Sequence, residues 1–225
     1  MISVWKSRFA EATEQYVKTE LATAEAGHNW DHINRVRSMA LHISNFEPVD
    51  KEIVELASLL HDIADSKFHN GNENLGPDKA GAFLSGLDMD PKSREHVVEI
   101  IRHISFKGGH EGSFYSPELG VVRDADRLDA IGAIGIARTF HFGGFFNREL
   151  YNPAIPPNLG MSKEQYKSST APTLNHFYEK LFLLKNRLHT DEAKRIAEKR
   201  HQLMETFVKQ FLEEWNAADF LQPEN

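Results

Sequence analysis

The 225-residue chain contains no cysteine. That single absence removes thiolate nucleophiles, thiolate-bound zinc and disulfide frameworks together, and it fits a reducing compartment. Long apolar runs are missing too. No stretch is long or apolar enough to span a bilayer, and Met1-Ile2-Ser3-Val4-Trp5-Lys6-Ser7-Arg8 passes into a mixed charged pattern without the apolar block of a signal peptide. A cytoplasmic protein with no membrane partner is therefore expected. A basic excess is also lacking: 33 acidic residues stand against 26 basic ones, for a net charge of −7. With basic and acidic residues interleaved, no stripe is available to track a phosphate backbone, and no nucleic-acid polymer is expected as a partner. A small anionic substrate is still permitted, because a bound cation supplies local positive charge whatever the global sum.

What is present is helix. The apolar fraction of 40% suffices for a substantial core, and apolar residues recur at helical rather than alternating spacing. Helices are predicted at about 3–25, 29–45, 50–62, 77–87 and 91–104, with a long one beginning near Pro117 and ended or kinked at Phe142-Gly143-Gly144-Phe145. Pro153, Pro156, Pro157 and Gly160 mark an irregular excursion over 147–171. Two more helices are predicted at about 172–188 and 191–220, the last with Ile196, Leu203, Phe207, Phe211 and Trp215 as its core stripe. No linker separates domains. The expectation is one all-α domain over 1–225, of about eight helices, with a core at about 26–140 and a C-terminal helical portion at about 172–220.

Certain polar residues sit where apolar ones belong. His32 shares its helix face with Val36, Met39 and Ile43. Asp126 shares another with Leu119 and Val122. The pair His61-Asp62 closes the apolar run Ile53-Val54-Glu55-Leu56-Ala57-Ser58-Leu59-Leu60. An unpaired imidazole or carboxylate on a buried face carries a desolvation cost, so these groups need a common partner. Two readings meet that need: a divalent cation bound by mixed nitrogen and oxygen donors, or a buried hydrogen-bond cluster with Arg35, Arg123 or Arg127 satisfying the carboxylates.

The order of these residues, with their flanks Gly27-His28-Asn29-Trp30-Asp31-His32-Ile33-Asn34-Arg35-Val36, Leu60-His61-Asp62-Ile63-Ala64-Asp65 and Asp124-Ala125-Asp126-Arg127-Leu128-Asp129-Ala130-Ile131-Gly132-Ala133, resembles the HD-domain superfamily of metal-dependent phosphohydrolases, in particular its small stand-alone bacterial YedJ/YpgQ-like branch. The resemblance implies an HD-domain-like fold with the metal site in its core cleft. It implies His32, His61, Asp62 and Asp126 as ligands of a divalent ion, with manganese favoured and magnesium, cobalt, nickel and iron as alternatives. Asp65, one turn beyond Asp62, is expected to hold the attacking water, as a carboxylate does at the corresponding place in related enzymes. Arg35, Lys67 and His103 are the expected contacts to substrate phosphates. Asp129, one turn from Asp126, could orient a ligand or Arg127. The implied reaction is hydrolysis of a nucleoside or deoxynucleoside triphosphate to monophosphate and pyrophosphate. A 5′-nucleotidase or other phosphomonoesterase, or a non-catalytic metal- or nucleotide-sensing module, are the alternatives.

Overall fold

The structure is a computed structural model, and it describes residues 6–22, 29–64, 72–104, 114–162, 165 and 168–218. All regular structure among the described residues is helical. By internal packing the chain divides into two compact units, Met1–Asp129 with Leu188–Ala193, and Ala130–Arg187 with Lys194–Asn225.

The first unit holds α1 (Ala10–Glu20), α2 (Trp30–Ile43), α3 (Lys51–Leu60), α4 (Leu75–Ser85), α5 (Pro91–His103) and α6 (Pro117–Asp129). Three of their starts are written in the sequence as capping residues. The Asn29 side chain accepts from the N–H groups of Asp31 and His32, and Asp50 accepts from those of Glu52 and Ile53. Asp90 accepts from Ser93, with Pro91 opening the helix where its missing N–H is harmless. The first helix begins at Ala10 rather than near Ser3. Ser7 forms a turn instead: its carbonyl takes the Ala10 N–H and its hydroxyl takes the Phe9 N–H.

Helix α3 is buried from Ile53 to Leu60 and packs against α1, α2, α5 and α6. Its one acidic residue in that run, Glu55, is fully buried. It accepts from Arg37 Nε at 2.8 Å, from a second Arg37 nitrogen and from the Ser7 N–H, so a buried carboxylate is matched by a guanidinium and a backbone donor. The neighbouring α6 packs against α2 and α3 and buries Leu119, Val121, Val122, Ala125 and Leu128. The elements that carry the polar residues singled out by their position, α2, α3 and α6, thus pack against one another.

The second unit contains α7 (Gly132–Phe145) and most of α8 (Asp191–Trp215). The predicted continuous helix from Pro117 to Phe142 is broken after Asp129. Gly132 there has φ +77, and a Cβ at that position would lie 2.9 Å from Arg200 Cγ. Only glycine takes both the left-handed backbone and the close approach. Ala133 therefore belongs to the next helix, Gly132–Phe145.

The helix predicted at 172–188 is instead a π-turn over Phe177–Leu181, a single α-turn over Phe182–Leu184 and a 3₁₀ turn over Lys185–Arg187. Its start is delayed because Thr173 and Leu174 give their N–H groups to the carbonyls of Glu149 and Leu150. Phe140, Phe177, Phe207 and Phe211 pack with centroids 5.7–6.1 Å apart. On α8, Ala193, Ala197, Met204 and Val208 form the buried face, while Leu203 and Trp215 are exposed. The apolar stripe expected there is rotated, because small alanines and a methionine supply the close contacts.

Candidate metal centre

Three side chains from three helices meet in the first unit. His32 projects from the first turn of α2, His61 caps the C-terminus of α3, and Asp126 lies in the penultimate turn of α6. His32 Nε2 is 3.3 Å from His61 Nε2 and 3.6 Å from Asp126 Oδ1, and His61 Nε2 is 3.9 Å from that same oxygen. Asp62 Oδ2 lies 4.0 Å from His32 Nε2, and Asp62 is not part of the His32, His61 and Asp126 group that could hold an ion.

The other nitrogen of each ring decides what this convergence means. His32 Nδ1 lies 2.8 Å from Asp129 Oδ2, and His61 Nδ1 lies 2.8 Å from the Ser58 carbonyl oxygen. Both partners only accept, so each Nδ1 carries a proton and donates, and in the neutral form of each ring the lone pair lies on Nε2. Two imidazole lone pairs and a carboxylate oxygen then face one another within 4 Å. Such an arrangement is repulsive by itself, and a cation among the three atoms reverses its sign. The centre of the triangle they form lies about 2.1 Å from each, the length of a nitrogen or oxygen bond to a small divalent ion. His32, His61 and Asp126 are accordingly a group that could hold a metal ion.

Around this triangle stands a further layer. Asp129 is almost fully buried. Besides His32 it receives Arg35, whose Nε reaches Oδ1 at 2.7 Å and whose terminal nitrogen reaches Oδ2 at 3.0 Å. The hydrogen bonds to Asp129 raise the Arg35 pKa above its ordinary value, against a smaller lowering by burial.

The expected substrate contacts fall in different places. Arg35 is anchored on Asp129. His103 ends α5, with Nε2 3.4 Å from Glu99, its ring against Phe114, and its carbonyl accepting from Arg123 at 2.6 Å. Asp65 and Lys67 lie outside the described residues. Two features were not read from the sequence. One is the Ser58 carbonyl, whose only signal is that a helix leaves its last carbonyls unpaired. The other is Asp124, a fully buried carboxylate two residues before Asp126 that accepts from His189 and Thr190.

A family model described as HD domain matches residues 29–131, the stretch that carries all four residues of the centre. The YpgQ protein of Bacillus subtilis is 35% identical over 205 residues, covering 89% of this chain and 91% of its own length. Its crystal structure in complex with ADP superposes with a TM-score of 0.69, at 32% identity over 91% of this chain and 96% of the other. A crystal structure from Lactobacillus plantarum matches with a TM-score of 0.84, at 35% identity over 95% and 99% of the two chains. An HD-superfamily hydrolase from Bacillus thuringiensis matches with a TM-score of 0.73, at 43% identity over 92% and 97%.

Proposed function

Because the chain belongs to the HD-domain superfamily of hydrolases, we propose that it is a divalent-metal-dependent phosphohydrolase that converts nucleoside or deoxynucleoside triphosphates to monophosphate and pyrophosphate. The observation that carries this reading is the triangle of His32, His61 and Asp126, in which both rings are held to present Nε2. His32, His61, Asp62 and Asp126 hold the ion in this reading, and manganese, which accepts mixed nitrogen and oxygen donors in octahedral geometry, suits them. The ion supplies a Lewis acid for a phosphoryl oxygen and lowers the pKa of water bound to it.

The remaining work falls to side chains. Asp65, following Asp62 by three residues, holds and deprotonates the attacking water. Water adds at the α-phosphorus as the bond to the bridging oxygen breaks, and pyrophosphate leaves with that oxygen. Lys67 and His103 meet the phosphates. The Bacillus subtilis relative was crystallised with ADP, which supports a nucleotide as the ligand class here. The four ligands, like the reaction, act in the cytoplasm in this reading.

Turnover with manganese and a panel of nucleoside mono- and triphosphates tests the proposal, with phosphate and pyrophosphate assayed separately. Pyrophosphate from triphosphates supports it. Free phosphate released from monophosphates moves the assignment to a 5′-nucleotidase. Nucleotide binding without product makes the chain a sensing module. Asp62→Ala should lose both metal and turnover, whereas Asp65→Ala should keep the metal and lose roughly 100-fold or more in rate, the size of a general-base contribution.

A further inference from the structure

We infer that Arg35 and Asp129 are positioning residues that hold His32 for the metal, and that Arg35 is not a phosphate ligand; the inference rests on the metal reading above. The helices display these groups as two rungs. His32 and Arg35 are three residues apart on α2, and Asp126 and Asp129 are three apart on α6, so each pair lies on one face one turn apart. His32 and Asp126 make the rung that faces the cation. Arg35 and Asp129 make the rung behind it, joined by two nitrogen–oxygen contacts of 2.7 and 3.0 Å. The diagonal from His32 Nδ1 to Asp129 Oδ2, at 2.8 Å, ties the rungs together.

The chemistry of the diagonal sets what the ring can do. An imidazole whose Nδ1–H is held by a carboxylate is fixed in tautomer and in orientation, and its Nε2 is a stronger donor to a metal. The carboxylate in turn needs a reason to stay ionised while nearly buried, and the forked guanidinium supplies it. Asp129 is required as a carboxylate. Its Oδ1 takes one Arg35 N–H, and its Oδ2 takes the second Arg35 N–H and the His32 N–H. An amide in this slot turns its NH₂ toward a donor in either orientation.

Isothermal titration of manganese into the purified 225-residue chain tests the inference. Wild type is expected to take up one ion. Asp129→Asn should weaken that binding roughly 10- to 100-fold, the usual effect of losing a carboxylate behind a metal-bound histidine. Arg35→Gln should weaken it in the same direction and by less, and the double variant should be no worse than Asp129→Asn alone, because the two act through one ring. Arg35→Gln should leave KM for nucleotide unchanged once manganese is saturating.

Nitrogen-15 chemical shifts of the His32 ring provide a readout that needs no metal. They should report a single tautomer in wild type and a mixture in Asp129→Asn. Arg35→Gln keeps the test open should Asp129→Asn fail to fold, since Arg35 is partly exposed. Wild type that binds manganese while both single variants bind it equally well overturns the inference alone. An Arg35→Gln protein with unchanged manganese affinity and a raised KM returns Arg35 to the phosphates and also overturns it. A wild type that binds neither manganese nor magnesium, cobalt, nickel or iron in the same titration overturns the metal reading and the inference with it.

Discussion

Two aspartates of α6, two residues apart, should respond to removal in opposite ways. Successive helix positions turn by about 100°, so Asp124 and Asp126 point to nearly opposite sides. Asp124 is fully buried and receives four donors: the His189 N–H and Nδ1, and the Thr190 N–H and hydroxyl, at 2.8–3.0 Å. Thr190 is itself buried and passes its hydroxyl oxygen to the Ala193 N–H in the first turn of α8. Asp124→Ala strands the two Thr190 donors away from water. At about 1–3 kcal/mol for each unsatisfied buried group, with partial relaxation, the loss should be about 3–5 kcal/mol.

Asp126, by contrast, is substantially exposed, with 39% of its side chain accessible. Replacing it by alanine within a helix should change the metal-free stability by less than about 1 kcal/mol. Urea unfolding followed by circular dichroism in the presence of EDTA measures the first quantity, and calorimetric titration of manganese measures the second. The expected pattern is a crossed one: Asp124→Ala loses stability and keeps manganese, while Asp126→Ala keeps stability and loses manganese. A loss below about 1 kcal/mol for Asp124→Ala, or unchanged manganese affinity for Asp126→Ala, refutes the division of the helix into a structural side and a ligand side.

Manganese at about 100 times its Kd should raise the unfolding free energy of the wild type by about 2.7 kcal/mol, and EDTA should remove both that increment and turnover; a melting curve indifferent to manganese contradicts it. Gly132→Ala should cost about 1–3 kcal/mol in urea unfolding, since it combines a φ of +77 with a Cβ 2.9 Å from Arg200 Cγ; a neutral effect shows that the Arg200 stem moves aside freely. The Asp90 cap should titrate below the ordinary carboxylate value, chiefly because its carboxylate accepts the Ser93 N–H. Its folded pKa being the lower one, the capping contribution is complete above the unfolded pKa and disappears as the pH falls through the folded pKa. The gap between wild type and Asp90→Ala in urea midpoint should therefore close on acidification, and a constant gap would contradict the assignment.

The sequence made the helical class and the convergence of α2, α3 and α6 readable because polar residues stood on apolar faces at helical spacing. His32 and Asp126 were visible for that reason, whereas the caps Asn29, Asp50 and Asp90 were recognised only in the structure. The break at Gly132 was not visible, since it depends on Arg200, nearly seventy residues later, filling the space where a Cβ would stand. The partner of Arg35 was not legible for a related reason: an arginine beside a metal motif suits a phosphate as well as it suits a buried carboxylate, and the contact with Asp129 is visible only in three dimensions. The Ser58 carbonyl left no trace at all, because every residue has one. Periodicity reports which face is buried and says nothing of what meets it there.

Accessibility falls steadily across the centre, from 39% for the Asp126 side chain and 16% for Asp62 to 4% for His61 and 2% for His32. Such a gradient gives the centre a floor and a mouth. A cation entering from solvent would meet the Asp126 carboxylate before either ring. Under the proposed function, a substrate that spans the mouth would stand above the ion, and loading would be ordered, cation first and nucleotide second. Excess nucleotide should then slow the escape of the ion to a chelator.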